Sequence, residues 1–494
     1  MDGIIFADNK YQPIRHGVLR APGAHRIATH LRKQGYKIEV FDFYLDWTLD
    51  ELKKILDNRI TDKTLFVGFS CSLMFEGVDN FSGIRDYIRE KYPHVAITVG
   101  GNKTLHKGFI DADYYLEGVG EAATDALVRF LTGQDKELIY QTVNGNKLLN
   151  GLTDYKLDSV KGINIAYQSD DYIGSDECLS LETARGCIFK CAFCDFPGIG
   201  KKKVDYLRDK QEVIEELIEN YKRWGVTKYF IVEDTINDTE MKCNMLGEIG
   251  RELPFDITLM GYMRADLLVR RPETVQQLWD AGFRGMHFGI ETFHPEAGKI
   301  IGKGMPAEKL KQGLTQIKNK FPGFHWTSTF IVGLPYESEE DVRKTVKWLI
   351  DSQVIDFWSF NPLMIPKVEP TIHHSYFTEN YMMYGYKKMS AQDIEDARNT
   401  DKETSYGLKW WKHVMPWKNN HFNSSTAAKL ASDINNMSNE HRKIDAWHAW
   451  ALSALGDPLE DLVKMQYNHS FNGELYERLT QEYIDDYKSK KLLI

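Results

Sequence analysis

Between residues 179 and 360 six short apolar runs recur, separated by helix-period segments, and this rhythm limits the fold more than any other feature. The runs are Leu179–Ala184, Tyr229–Val232, Thr258–Tyr262, Met286–Ile290, Trp326–Val332 and Ile355–Phe360. Runs this short and apolar read as strands buried on both faces, the usual situation in a parallel sheet. Asp209-Lys210-Gln211-Glu212 gives a capping-box-like start. Val213, Ile214, Leu217, Ile218 and Tyr221 follow at helical spacing, and Gly225 stops the helix. Further helices are expected near 272–281 and from Ser338 to Ser352. Six strands with crossover helices predict a partial (β/α)6 barrel with its site at the carboxyl ends of the strands. Polar residues do end these runs, at Glu233-Asp234 and Glu291. An acid after a strand often just caps the next helix, so the repetition carries the argument, not any one position.

Residues 1–131 follow the same alternation. Ile4–Ala7, Lys37–Phe41, Leu65–Phe69 and Val95–Val99 read as strands, and helices are expected near 24–34, 48–58, 77–91 and 120–131. This predicts a doubly wound, Rossmann-like parallel sheet binding its ligand at the carboxyl edge. Turns at Ser70-Cys71-Ser72, Gly100-Gly101-Asn102 and Gly118-Val119-Gly120-Glu121 put small residues at that edge. Glycine there lets backbone approach a ligand, and it also simply ends strands.

Three cysteines sit in one loop, Cys187-x3-Cys191-x2-Cys194. Thiolates at this spacing can hold three irons of a 4Fe–4S cluster and leave the fourth iron open. A structural zinc site needs four closed ligands. No histidine lies between His106 and His287. Cys178, on the strand leading into the loop, is roughly 25–30 Å away at ~3.3 Å per residue. A ligand from a distant segment would complete a zinc site, so the spacing alone leaves that alternative open. Cys71, Cys178 and Cys243 are scattered and read as structural.

The cysteine spacing, with aromatic Phe193 before its last member, resembles the signature of the radical S-adenosylmethionine (SAM) superfamily. The resemblance continues in order over about 179–360. It implies that Cys187, Cys191 and Cys194 bind the cluster and that Phe193, Glu233, Asp234, Arg264, Glu291 and Gly333 contact SAM. Within these, Glu233-Asp234 falls where the family meets the SAM amino group, and Arg264 where a side chain meets the carboxylate. Glu291 falls at the ribose hydroxyls, and Gly333, in Ile331–Glu337, beside the adenine. An arginine suits a carboxylate through bidentate, charge-assisted bonds.

Residues 1–131 are similar to the cobalamin-binding domain of one large group in that superfamily, through Arg20–Ala24, Val99–Gly101 and Leu116–Glu121. This implies cobalamin near Ser70, Ser72, Gly100, Gly101, Gly118 and Glu121. The Asp-x-His-x-x-Gly sequence that supplies a histidine to cobalt in many cobalamin proteins is absent, and His16 and His25 are outside that pattern. The domain is therefore expected to bind cobalamin without such a ligand, or to be a scaffold that binds none.

The resulting division is 1–131 cobalamin-binding-like, 132–177 connector, 178–365 barrel, and 366–494 mostly helical, capping the barrel and holding the substrate determinants. The last segment is rich in aromatic residues, among them Tyr386, Trp410, Trp411, Trp417, Trp447 and Trp450. A net charge of −9 argues against a general nucleic-acid binder. No apolar run approaches the ~18 residues of a membrane span. A thiolate-bound cluster needs a reducing compartment, so the cytoplasm is expected. The resemblance implies an enzyme that cleaves SAM to a 5′-deoxyadenosyl radical, with cobalamin-dependent methyl transfer to an unactivated carbon as the leading reaction. A small-molecule substrate and a reducing electron donor are the expected partners. A cobalamin-independent rearrangement, cyclisation or oxidation is the first alternative, and a non-enzymatic iron–sulfur or zinc sensor the second.

Overall fold

The N-terminal alternation folds into a seven-stranded sheet. The structure is a computed structural model that describes residues 1–9, 17–70, 78–101, 111–143, 145–194, 206–365, 375–400, 415–441, 452–467 and 472–493. The strands are β1 (Gly3–Ala7), β2 (Ile38–Phe41), β3 (Phe66–Ser70), β4 (Ala96–Gly101), β5 (Tyr114–Glu117), β6 (Gln141–Val143) and β7 (Asn146–Asn150). Their order is β2-β1-β3-β4-β5-β7-β6, parallel except that β6 runs against β7. The doubly wound core of this sheet reverses its strand order between β1 and β3, where such sheets take ligands.

Local sequence explains the helices around it. Pro22 opens the helix Pro22–Lys33, where its missing N–H costs nothing. Thr48 and Glu51 form a reciprocal capping box on the helix Leu49–Arg59. One apolar layer, with Phe6, Phe41, Leu52, Phe69 and Ile84, covers one face of the sheet. Ile5, Ala28, Val40 and Leu127 belong to the layer on the other. The segment expected as a connector contributes β6 and β7. Gln141 and Thr142 are exposed, so this edge hairpin lacks the apolar run that marks a buried strand.

The second sheet is the expected open (β/α)6 barrel. Its strands are β8 (Cys178–Leu181), β9 (Lys228–Ile231), β10 (Thr258–Met263), β11 (Phe283–Glu291), β12 (His325–Val332) and β13 (Phe357–Pro362), paired in chain order and all parallel. Asp209 caps the helix Lys210–Trp224, accepting from Gln211 N at 2.8 Å, and Gly225 ends it in the left-handed region at φ 75°. Ser338 and Asp341 form a second capping box, on the helix Glu339–Ser352. Leu217, Ile231, Phe288, Trp326 and Leu349 join the core between strands and helices. Cys178 packs with Phe230, Met260 and Phe357 in a separate small cluster. Burial pushes the Cys178 and Cys243 thiols up to about 12, as in inert structural cysteines. Cys71 lies outside the described residues.

The C-terminal segment divides its contacts between the two sheets. Phe377 N donates to Ala192 O in the cysteine loop at 2.9 Å. Asn435 hydrogen-bonds both backbone groups of Phe360 on β13, at 2.9 and 2.7 Å. This part packs on the barrel. The helix Gly473–Leu493 does not. It places Ile484 and Tyr487 in the core of the first sheet. Its buried Lys491 pairs with Glu39 at 3.1 Å, and Tyr487 OH accepts from Asp42 N at 3.0 Å. Tyr483 OH donates to Glu177, whose carboxylate also binds buried Arg20 at 2.7 Å. Trp410, Trp411, Trp447 and Trp450 lie outside the described residues, and no described helix is long and apolar enough to cross a membrane.

Candidate functional site

The carboxyl ends of both sheets converge. A cavity of about 350 Å³ lies between them. The first sheet contributes Asp8 and Asn9 after β1, Ser70 on β3, Gly100 and Gly101 on β4, and the turn Gly118–Glu121 after β5. The barrel contributes Glu182, Ala184, Arg185 and Gly186, just before Cys187, and Val232, Glu233 and Asp234 after β9. Five of the six residues assigned to cobalamin by resemblance thus line one cavity, and Ser72 lies outside the described residues. A Cβ on Gly100 would meet nothing closer than Leu116 at 3.6 Å, so bare backbone faces the space. Glu121 is not an open ligand group. Its carboxylate takes two hydrogen bonds from Arg185, at 2.7 and 3.2 Å. Burial opposes its charge, but Arg185 and Arg26 outweigh that and hold it below the usual carboxylate range.

The cysteine loop leaves β8 and is pinned at its root by Glu233. That buried carboxylate accepts from Thr183 N and Ala184 N, both at 2.6 Å, and pairs with buried Lys242. Glu233 therefore ties β8 to β9, while half-buried Asp234 beside it lines the cavity. Cys194 N donates to Cys191 O at 3.0 Å, turning the loop back on itself. Cys187, Cys191 and Cys194 are half-buried. Phe193 packs against the barrel core. Thr235 Oγ1 stands 3.4 Å from Cys187 Sγ, and Arg264 Nη1 donates to Cys191 Sγ at 3.6 Å. Among the described residues no three His, Cys, Asp or Glu converge as ligands of one metal ion. Thiolates that each bind a different iron need not meet at one ion, though they must ring one cubane, and soft sulfur is the donor type such a cluster takes.

Arg264 is held on several sides. Its guanidinium donates twice to Asp266, at 2.9 and 3.1 Å, and to Gly302 O at 2.9 Å, and lies 4.1 Å over the Phe189 ring. Glu291, the last residue of β11, is buried in a left-handed conformation at φ 69°. Such strain in a non-glycine residue concentrates at functional positions. Burial pushes its carboxyl up to about 7, against the nearby charges of Lys303 and Arg264. Lys303 donates to Gly289 O at 2.6 Å. Gly333, at φ 98°, accepts from Tyr386 OH at 2.8 Å and packs under Trp417, whose ring would lie 2.5 Å from an added Cβ. Behind it, buried Glu337 accepts from Thr292 Oγ1, and burial pushes its carboxyl up to about 8. Sequence reasoning gave no role to Lys303, Lys242, Arg26, Glu182 or Arg185. Arg185 borders the cysteines, and that adjacency was the one available signal.

Residues 181–349 match the Radical SAM superfamily. An uncharacterized methyltransferase of Pyrococcus horikoshii is 27% identical over 34% of this chain and 35% of its own length. The hopanoid C-3 methylase of Methylococcus capsulatus is 26% identical over 56% of this chain and 54% of its own. The chain thus spans about a third to a half of these two curated relatives. Among solved structures, the radical SAM methyltransferase TsrM of Kitasatospora setae, with cobalamin and a [4Fe-4S] cluster bound, superposes with TM-score 0.65. The match covers 98% of this chain and 99% of that one at 17% identity. The cobalamin-dependent radical enzyme OxsB, with aqua-cobalamin bound, gives 0.60 over 97% and 72% at 15% identity. At such identities the likeness is one of fold.

Proposed function

We propose that this chain is a cobalamin-dependent radical SAM methyltransferase. The observation that carries the reading is the shared cavity. The small-residue edge of the first sheet opens onto the loop bearing Cys187, so two cofactors held by the two sheets would meet there. Bound in these sites, a reduced cluster supplies an electron to SAM and a corrinoid supplies a transferable methyl group.

The chain's own residues then have separate tasks. Cys187, Cys191 and Cys194 would hold the cluster. Arg264, donating to Cys191 Sγ, would make that cluster easier to reduce, because hydrogen bonds to cluster sulfur tune its potential. Glu291, Lys303 and Gly333 ring the end of the barrel where the adenosyl group of SAM would lie. Ser70, Gly100, Gly101 and Gly118 offer backbone and hydroxyl groups to a corrinoid. Phe377, Tyr386 and Trp417 close the barrel rim and exclude water from a reactive intermediate. The finer reading, methylation of an unactivated carbon through a 5′-deoxyadenosyl radical, follows the superfamily resemblance.

Anaerobic purification from cells supplied with cobalamin tests this. We expect a corrinoid absorbance band with the iron–sulfur band, and conversion of SAM under reduction to 5′-deoxyadenosine or S-adenosylhomocysteine. SAM turnover by protein that never retains a corrinoid leaves the cobalamin-independent chemistry standing and refutes the methyltransferase. Absence of both refutes the enzyme.

A further inference from the structure

Four charged side chains from three elements meet in the wall of the cavity. Arg26 comes from the helix Pro22–Lys33, Glu121 from the first turn of the helix Gly120–Leu131, and Glu182 and Arg185 from the segment between β8 and the cysteines. Arg185 spans the gap. One edge of its guanidinium donates to Glu182, at 2.8 and 2.9 Å, and it also donates to both oxygens of Glu121, at 2.7 and 3.2 Å. Arg26 Nη2 lies 3.1 Å from the same Glu182, and Arg26 Nε 3.9 Å from Glu121. The acids are almost wholly buried and Arg185 is 13% exposed. Two cations against two anions leave no net charge inside.

An ion cluster of this kind is weak evidence for stability, because well-packed apolar residues often hold an interface as firmly. Its particular property is geometric. A planar fork against a carboxylate fixes both distance and orientation, which neither a lysine nor an apolar contact does. Both ends of this fork are themselves fixed. On the barrel side, Arg185 N donates to Tyr206 O at 3.0 Å, and Arg208 Nη1 donates to Glu182 O at 2.8 Å. On the other side, Glu121 follows the turn Gly118–Gly120, which lines the proposed corrinoid site. Two residues beyond Arg185 is Cys187.

Resting on the proposed two-cofactor reading, we infer that Arg185 and Glu121 are positioning residues that set the separation between the cysteine loop and the cavity of the first sheet. Group transfer between two separately held cofactors requires that separation to be defined, since a misplacement of about 1 Å can cost about a hundredfold in rate.

Pulsed electron paramagnetic resonance tests this on anaerobic, full-length protein carrying reduced cluster and cob(II)alamin, by reading the distance distribution between the two spins. Arg185→Lys keeps the charge and loses the fork, and Glu121→Gln keeps the shape and loses the charge. We expect either variant to shift or broaden the distribution by about 1 Å or more. Lys318→Gln is the control. It breaks a barrel pair, Lys318 with Asp356 at 2.6 Å, that touches none of the four residues, and should lower the melting temperature without moving the distance. An unchanged distribution in both test variants overturns the inference, as does equal broadening in the control. If the protein retains no corrinoid, the methyltransferase reading fails separately. Hydrogen exchange then decides the positioning role. Arg185→Lys must deprotect the amides of 119–123 and 183–186 together, and loss on one side alone overturns it.

Discussion

Glu337→Gln offers a quantitative test of how dry the barrel rim is. One carboxylate oxygen meets Thr292 Oγ1, and the other is buried with no hydrogen-bond partner among the described residues. Burial, opposed by Thr292, lifts the carboxyl from 4.5 to about 8. Between those values the native protein holds a proton that the unfolded chain has released, so stability falls as pH rises through that window and levels off above about 8. The full rise corresponds to about 5 kcal/mol, of which about 3 kcal/mol falls between pH 6 and pH 9. Glutamine does not titrate, so the variant loses this slope. All other titrating groups are common to both proteins, so the difference in melting temperature between variant and wild type isolates this carboxyl. At about 2–4 °C per kcal/mol for a domain of this size, the variant should gain about 6–12 °C relative to wild type from pH 6 to pH 9. Its offset at any single pH depends on where the amide N–H groups point, so the slope is the quantity to read. A difference that stays flat across that range would mean the carboxyl is ionised and solvated in the folded protein, and the argument from burial would be wrong.

Other perturbations have sharper outcomes. Cys191→Ala should reduce bound iron and SAM turnover to background, whereas Cys243→Ala, in the buried face of a barrel helix, should lower the melting temperature and keep the iron. Retained iron in the first variant would remove Cys191 from the ligand set. Gly333→Ala combines a left-handed backbone with a Cβ 2.5 Å from the Trp417 ring. It should destabilise the protein by about 2–4 kcal/mol in thermal melts, and an unchanged melt would show that Trp417 yields freely.

The six barrel strands were legible because each is largely buried and carries a short run rich in apolar residues. β5, β6 and β7 were not. β5 is buried but offers only Tyr114, Tyr115 and Leu116 before an acid, and the edge hairpin exposes Gln141 and Thr142, so neither stands out in the sequence as an apolar run. The cysteines, the acids after β9 and the one ending β11 stood out as candidates by position alone. Their division of labour could not, because it depends on partners distant in sequence. Glu233 is occupied by Thr183, Ala184 and Lys242, and Glu121 by Arg185, 64 positions away. The place of the last helix was not legible for the same reason. Its polar residues Lys491 and Tyr483 find their partners, Glu39 and Glu177, hundreds of residues upstream.

That helix also bears on the order of assembly. Ile484 and Tyr487 complete a hydrophobic layer whose other members are almost all within the first 150 residues. During synthesis the first sheet therefore waits, with the edge near Phe41 and Phe43 uncovered, until more than three hundred further residues have been made. Contacts of such long sequence separation slow folding and prolong exposure to aggregation. A nascent chain stalled before residue 473 should then be a better client for chaperones than its nearly complete barrel would suggest.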